Sequence, residues 1–422
     1  MNHVVIGAGP AGIIAAETLR QLQPAAVVTV IGDEPEAPYS RMAIPYFLFK
    51  QIAEEGTHLR KTPDHFRTRK ISLVQGRVAN VNRAARELLL EGGSKVSYDT
   101  LLIATGSTPM APPIPGIDLP GVTSCWTLAD ARRIASTAKP GARVVLMGAG
   151  FIGCIILEAL AKSGATLTVV EMEGRMVPRM MNDTAGNMIK DWCQHRGVTV
   201  HTSTKVDAIE QQGKALRVVL NSGTSIAADM VVSATGVRAN IELVKGTGIE
   251  TEHGILVNRH MQTNDPLIFA AGDVAQGIDF STGEYSVQAI QPTAADHGQL
   301  AARNMAGLTG AVHLGCVNMN VLDTLGLISS SFGLWMGKAG GDAAELLNPK
   351  LFRYLNLQFE DDVVVGATSL GLTQHVGVLR GLIQSKIRLG EWKKKLVADP
   401  TRIMEAYLAR TQAVGFNAGI LK

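Results

Sequence analysis

Val4-Val5-Ile6-Gly7-Ala8-Gly9-Pro10-Ala11-Gly12 decides how the rest of the chain is read: a short apolar run breaks into glycines and re-emerges as the periodic Ile13-Ile14-Ala15-Ala16-Glu17-Thr18-Leu19. The pattern predicts a strand, a tight turn and a helix, the setting in which G-x-G-x-x-G meets a dinucleotide. Its glycines have separate tasks. Gly7 permits the turn, Gly9 lets backbone approach a pyrophosphate with no Cβ in the way, and Gly12 lets the helix pack close on the strand. Pro10 and Ala11 open the helix, whose first N–H groups are free to meet an anion.

The arrangement occurs twice. Arg143-Val144-Val145-Leu146-Met147-Gly148-Ala149-Gly150-Phe151-Ile152-Gly153 repeats it, with Gly148, Gly150 and Gly153 at the same spacing and Phe151 and Ile152 at the helix start. A second β-branched run follows each copy and ends in acid, Asp33-Glu34 after the first and Glu171 after the second. An acid at such a tip accepts hydrogen bonds from ribose hydroxyls and repels a 2′-phosphate, so Glu171 favours NADH over NADPH, with Arg175 close enough to soften the preference. Two further buried runs end alike, in Ala104-Thr105-Gly106 and Ala234-Thr235-Gly236. This duplication is far stronger evidence for dinucleotide binding than either copy alone.

A chain of 422 residues is long for one domain, and 46% hydrophobic with 18% charged residues is a globular composition. A net charge of +3 gives no electrostatic case for nucleic acid. Cys125, Cys154, Cys193 and Cys316 lie far apart without a C-x-x-C pair, so they read as buried free thiols, with no disulfide framework and no zinc or iron–sulfur ligand set legible. No stretch has the length of a membrane span, and a cytoplasmic chain is expected.

With Pro38-Tyr39-Ser40-Arg41 added, the chain resembles the pyridine-nucleotide-dependent flavoprotein reductases with two dinucleotide-binding domains. The nearest branches are the NADH:rubredoxin and ferredoxin reductases and the flavin portion of assimilatory nitrite reductase. The resemblance gives Arg41 to the FAD. Leu267-Ile268-Phe269-Ala270-Ala271-Gly272-Asp273-Val274 is similar to the family's second FAD signature, in which Gly272 admits the pyrophosphate and Asp273 holds a ribityl hydroxyl; an N-cap is the other reading of Asp273. Pro292 and Thr293 open a helix whose N-terminus, in relatives, faces the pyrimidine end of the flavin. His297 on that helix reads as a surface residue.

Departures from the family pattern carry information. Met42 stands where disulfide-, peroxide- and oxygen-reducing relatives have a reactive cysteine, and methionine forms no thiolate. Tyr46 replaces the usual lysine of ferredoxin-reductase relatives, with Lys50 a helical turn on and expected to face solvent. Ile155 replaces a glutamate at the nicotinamide end, and Glu158 is expected on the surface.

The expected fold is α/β: an FAD-binding domain split between residues 1-112 and 237-314, an NAD-binding domain at 113-236 inserted in it, both Rossmann-like, and an α+β interface domain at 315-422. Residues 71 to 96 are expected as a small antiparallel excursion. The resemblance implies FAD and NAD as cofactors and hydride transfer between NADH and flavin N5, with no catalytic side chain and no metal. Electrons would then pass to an iron–sulfur or rubredoxin-type carrier or a partner subunit. A flavin subunit of a larger complex and a non-catalytic redox sensor are the other readings, and homo-oligomer or hetero-complex stays open. The Lys393-Lys394-Lys395 run reads as a solvated face or a docking patch for an acidic partner.

Overall fold

Two parallel sheets of five strands carry the two glycine turns in this computed structural model, which describes the backbone of residues 1–420 and the side chains of residues 1–412. In the first sheet the strands lie in the order Ile268–Ala270, Thr100–Ile103, Asn2–Ile6, Val27–Gly32, Ile71–Gln75. In the second the order is Thr199–His201, Thr166–Val170, Arg143–Met147, Met230–Ser233, Val122–Ser124. Each central strand runs straight into its glycine turn. Helices cover one face of each sheet and a three-stranded antiparallel sheet packs on the other, so the strands are near-continuous Val, Ile and Leu, and Val4, Val5, Leu101, Leu102, Val169 and Val232 are fully buried. The strand order reverses beside each central strand, and a crevice opens beyond the strands' carboxyl ends at such a point.

One expectation fails here. Ile71–Gln75 is not part of the antiparallel excursion but the outermost parallel strand of the first sheet, pairing with Val27–Gly32. Only Val78–Asn82, Glu87–Leu90 and Lys95–Ser97 form the antiparallel sheet. An edge strand has one hydrogen-bonded neighbour, and the exposed Ser72 and Leu73 gave its run no buried signature.

The two Ala-Thr-Gly ends meet. Ser107–Pro109 pairs antiparallel with Val237–Ala239, and Asn240 closes the junction by donating from Nδ2 to the Thr105 carbonyl at 2.8 Å while its own carbonyl accepts from Thr105 Oγ1 at 3.0 Å. The chain passes between the sheets at this ribbon.

Beyond residue 315 an antiparallel sheet orders as Met319–Thr324, Leu327–Gly333, Val363–Leu370, Arg353–Glu360, Asp342–Asn348, with Val376–Ser385, Glu391–Ala398 and Ile403–Ile420 as helices. It docks on the second parallel sheet's layer: Trp192 Nε1 donates to the Leu325 carbonyl at 3.2 Å, and Asn182 Nδ2 to the fully buried Tyr354 hydroxyl at 2.6 Å. The lysine run spends its charge locally. Lys393 pairs with Asp342 at 2.5 Å, Lys394 lies 3.9 Å from Glu391, and Lys395 sits over the Trp392 ring at 4.1 Å.

Two side chains expected at the surface are inside. Glu158 is 7% exposed and pairs with Lys162 at 2.5 Å one turn on, while His297 is 4% exposed. His297 belongs to Gln291–Met305, a helix pressed so tightly on Pro10–Leu22 that a Cβ at Gly298 would stand 2.2 Å from the Ala11 carbonyl oxygen. Among the described residues no helix is long and apolar enough to cross a membrane.

Candidate functional site

The two glycine turns repeat each other atom for atom in their reasons for being glycine. Gly7 has φ +113° and a Cβ there would lie 2.1 Å from the Ala104 carbonyl oxygen; Gly148 has φ +93° and would meet the Ala234 carbonyl oxygen at 2.6 Å. Gly12 and Gly153 pack on the turns, where a Cβ would be 1.9 Å from the Gly7 oxygen and 2.2 Å from the Gly148 oxygen. Gly9 and Gly150 are different. A Cβ at either meets nothing within 4 Å, so the only thing a side chain would obstruct is a ligand. The Pro10–Leu22 helix starts there with no side-chain cap, leaving its first N–H groups for an anion.

A cleft opens over the first turn and holds about 1440 Å³ of empty space, its mouth included. Gly7, Gly9, Pro10 and Ala11 form its floor, with Asp33, Glu34 and Arg41 along one wall, Ala104, Thr105 and Gly106 along another, and Gly272 and Asp273 opposite. Phe151 and Ile152, read as part of the second site, line the same cleft together with Ile155 and Ile156. The helix of the second turn therefore lines the first turn's cleft with the apolar side chains of its first turns. Glutamate is replaced there by a side chain that excludes water and carries no charge.

Arg41 is part-exposed and is held in place by its neighbours. Its guanidinium donates to Glu34 at 2.6 Å and to the Trp126 carbonyl at 2.7 Å, and it lies 5.3 Å from the Trp126 ring centroid. The Tyr39 hydroxyl donates to the other Glu34 oxygen at 2.6 Å, and burial raises the Tyr39 pKa, so it stays a donor. Asp273 accepts from the Ser107 hydroxyl at 2.8 Å; burial raises its pKa, and the Ser107 bond pulls the other way. It has no part as an N-cap in the short turn Gly272–Val274, where no side chain caps.

Glu171 is buried and faces its own turn, accepting from Ala149 N at 2.6 Å and Glu173 N at 2.8 Å. Arg175 is committed elsewhere, to Asp183 at 2.6 Å and to the carbonyls of Met181 and Pro178. Neither Gly148, Gly150, Gly153, Glu171 nor Gly236 lines the large cleft; Gly236 lies just before the Val237–Ala239 ribbon strand, where a Cβ would come 3.1 Å from Met110 Cε. At the helix start the cleft is lined by Gln291 and Ala294 rather than by Pro292 and the buried Thr293. Met42 lines the cleft, Tyr46 does not and is half exposed, and Lys50 is exposed as expected.

Sequence reasoning missed Ser107, Trp126 and Cys125. Trp126 closes a wall of the cleft, its Nε1 donating to the Ser107 carbonyl at 3.0 Å, and Cys125 lies beside it. Burial pushes the Cys125 thiol up to about 12, which keeps it protonated. No local motif marks Cys125 and Trp126, which follow the outermost strand of the second sheet and reach the cleft only through the fold, whereas Ser107 directly follows the Ala104-Thr105-Gly106 end. Elsewhere the structure gathers His297, His313 and Cys316, which the spacing did not associate.

Similarity to known proteins agrees with this geometry. Residues 1–298 match the family model described as pyridine nucleotide-disulphide oxidoreductase. The chain is 30% identical over 413 residues to the epsilon subunit of NADH-dependent phenylglyoxylate dehydrogenase of Aromatoleum evansii, covering 97% of this chain and 98% of that one. It is 34% identical over 311 residues to rhodocoxin reductase of Rhodococcus erythropolis, 73% of this chain and 72% of that. Among solved structures, a NAD-dependent persulfide reductase from A. fulgidus superposes with a TM-score of 0.86 at 28% identity, over 93% of this chain and 78% of that one. FAD fits the first cleft, because the open ground above Gly9 and the uncapped helix start suit a pyrophosphate, and Asp273 keeps acceptor capacity beyond its single Ser107 bond. The chain belongs to the pyridine nucleotide-disulphide oxidoreductase family and is an NADH-dependent flavoprotein oxidoreductase with FAD and NAD(H) as its cofactors.

Proposed function

We propose that this chain moves electrons between NADH and an iron–sulfur or rubredoxin-type protein, either a free carrier or a partner subunit, without a thiol intermediate. The observation that carries the reading is the sulfur chemistry of the cleft: the sulfur-bearing side chains lining it are Met42 and Cys125, one unable to ionise and the other held protonated. Bound FAD supplies hydride acceptance at N5 and release of electrons one at a time. The chain's own residues do the rest. Gly9 and the amides opening Pro10–Leu22 take the pyrophosphate, Asp33 and Glu34 the adenosine ribose, Asp273 a ribityl hydroxyl, and the positive end of the Gln291–Met305 helix favours charge on the reduced ring. Phe151, Ile152 and Ile155 keep water from the face where the nicotinamide approaches.

In this reading residues 1-112 and 237-314 bind FAD, 113-236 bind NAD(H), and 315-422 form the interface unit, in the cytoplasm. Glu171, with Arg175 tied to Asp183, selects NADH over NADPH. The test is anaerobic: NADH should bleach the flavin of the purified holoprotein, and oxidised rubredoxin or ferredoxin should restore its colour while a small disulfide does not. A flavin that NADH leaves oxidised, or turnover with the disulfide, would sink the proposal.

The end-to-end match with the epsilon subunit favours the partner-subunit form. Affinity purification from the native cell should then bring down chains carrying iron–sulfur clusters, and removing them should weaken carrier reduction.

A further inference from the structure

We propose that His297, His313 and Cys316 form a binding site for a transition-metal ion of the zinc class. Cys316 Sγ lies 3.6 Å from His297 Nε2 and 3.4 Å from His313 Nε2, and the candidate ligand atoms all fall within 4.8 Å of one another. Zinc binds thiolate sulfur at about 2.3 Å and imidazole nitrogen at about 2.0–2.1 Å, which in a tetrahedron separates sulfur from nitrogen by roughly 3.6 Å. The two observed edges already have that length.

Hydrogen bonding alone serves the cluster poorly. A thiol has one proton and can donate to one imidazole, so the other ring must donate to sulfur, a weak acceptor. His297 has no alternative: it is 4% exposed, its Nδ1 has no partner, and its Nε2 is aimed at the thiol. The rings of His297 and His313 stand edge to face at 86°, centroids 4.8 Å apart, presenting nitrogens toward the sulfur from two directions.

The backbone holds these positions independently of the side chains. His313 N donates to the Arg259 carbonyl at 2.7 Å, and the Cys316 carbonyl accepts from Phe280 N at 2.9 Å and from Gln288 Nε2 at 3.1 Å. Gly315 between them has φ +100°, and a Cβ there would stand 2.8 Å from Phe280 N, so only glycine lets the segment turn this close. Two imidazoles and a thiolate select zinc or a neighbour such as cobalt over magnesium or calcium, which require oxygen ligands. His313 and Cys316 are half-buried, so water can reach a fourth position, the pattern of three protein ligands with one open place. On binding, the thiol proton leaves to solvent and a metal–sulfur bond replaces the S–H bond, with no change of oxidation state. The ion would clamp the Gln291–Met305 helix, which reaches the cofactor cleft, to the segment entering the C-terminal sheet.

Cobalt(II) titration of the flavin-loaded full chain, reduced and free of chelator, tests this. One equivalent should bind and give thiolate-to-cobalt charge transfer and tetrahedral d–d bands to the red of the flavin, and zinc should abolish both. Cys316→Ser and His313→Asn, with flavin content and circular dichroism as folding controls, should each weaken binding at least about tenfold. Should either variant misfold, zinc protection of Cys316 from iodoacetamide in the native chain replaces it. Absence of saturable binding, cobalt spectra without the thiolate band, unchanged affinity in Cys316→Ser, or no protection would each overturn the site.

Discussion

At the first turn Gly7 N donates to the Ile31 carbonyl at 2.7 Å, and at the second Gly148 N donates to the Val170 carbonyl at 2.8 Å, so the two turns are hung from their neighbouring strands in one register. The next residue differs: Gly32 follows Ile31, whereas Glu171 follows Val170. At Gly32 a Cβ would come 3.0 Å from Ala8 Cβ, and the acids move on to Asp33 and Glu34, where Arg41 neutralises Glu34. Glu171 instead turns its carboxylate back on the Ala149 amide and meets no cation. The same scaffold thus presents an acid paired with a cation at one site and one held by backbone amides at the other.

Gly9→Ala and Gly150→Ala break this comparison most sharply, since neither Cβ disturbs the fold. The first should cost at least about tenfold in FAD affinity, roughly 1.4 kcal/mol, and the second should raise KM for NADH about tenfold with flavin content unchanged. Flavin per chain and steady-state kinetics measure both; swapped phenotypes would reverse the assignment of the turns. Asp273→Ala should also lower FAD retention, and a variant that keeps full flavin through gel filtration would remove Asp273 from the site.

Glu171→Gln replaces a buried double acceptor with a group that can accept only on one side. A loss of about 1–3 kcal/mol in stability is expected, with a narrower preference for NADH, read from denaturant unfolding and the ratio of kcat/KM values for the two nucleotides. Equal discrimination in variant and parent would show that the second acid does not select the nucleotide.

The pH behaviour of the flavin-free chain sharpens the contrast more gently. Burial raises the Asp273 pKa in the folded state, so its contribution to stability is complete below the ordinary carboxylate range and is lost as pH climbs through the raised value. Asp273→Asn should flatten that dependence from about pH 4 upward, and parallel melting curves for variant and parent would contradict it. Cys125→Ser should have the smallest effect. With the thiol protonated, NADH-driven bleaching should keep its rate within about twofold, and a large loss would restore a role for sulfur chemistry.

Glycines, strand tips and the two Ala-Thr-Gly ends could be read from the sequence because each is a local demand: a positive φ, a close contact, an acid at a fixed register. His297, Glu158 and Ile71 could not. Whether a helix face is covered depends on the Gly298–Ala11 approach and on the C-terminal segment, and whether a short apolar run joins a parallel or antiparallel sheet depends on which strand edge lies free. The buried serines Ser329, Ser330 and Ser331 hid the Leu327–Gly333 strand for the same reason, since their burial comes from strands far along the chain.

The sequence by itself determined that two dinucleotide-type glycine turns form, that acids stand at their neighbouring strand tips and that no cysteine stands at Met42, because backbone conformation and side-chain chemistry are properties of single residues and their near neighbours. Tertiary structure decided the rest. It brought Phe151, Ile152 and Ile155 into the cleft of the first turn, set Trp126 and Cys125 in its wall, spent Arg41 on Glu34, and drew His297, His313 and Cys316 together, since each of these meetings depends on how separate layers pack rather than on any spacing along the chain.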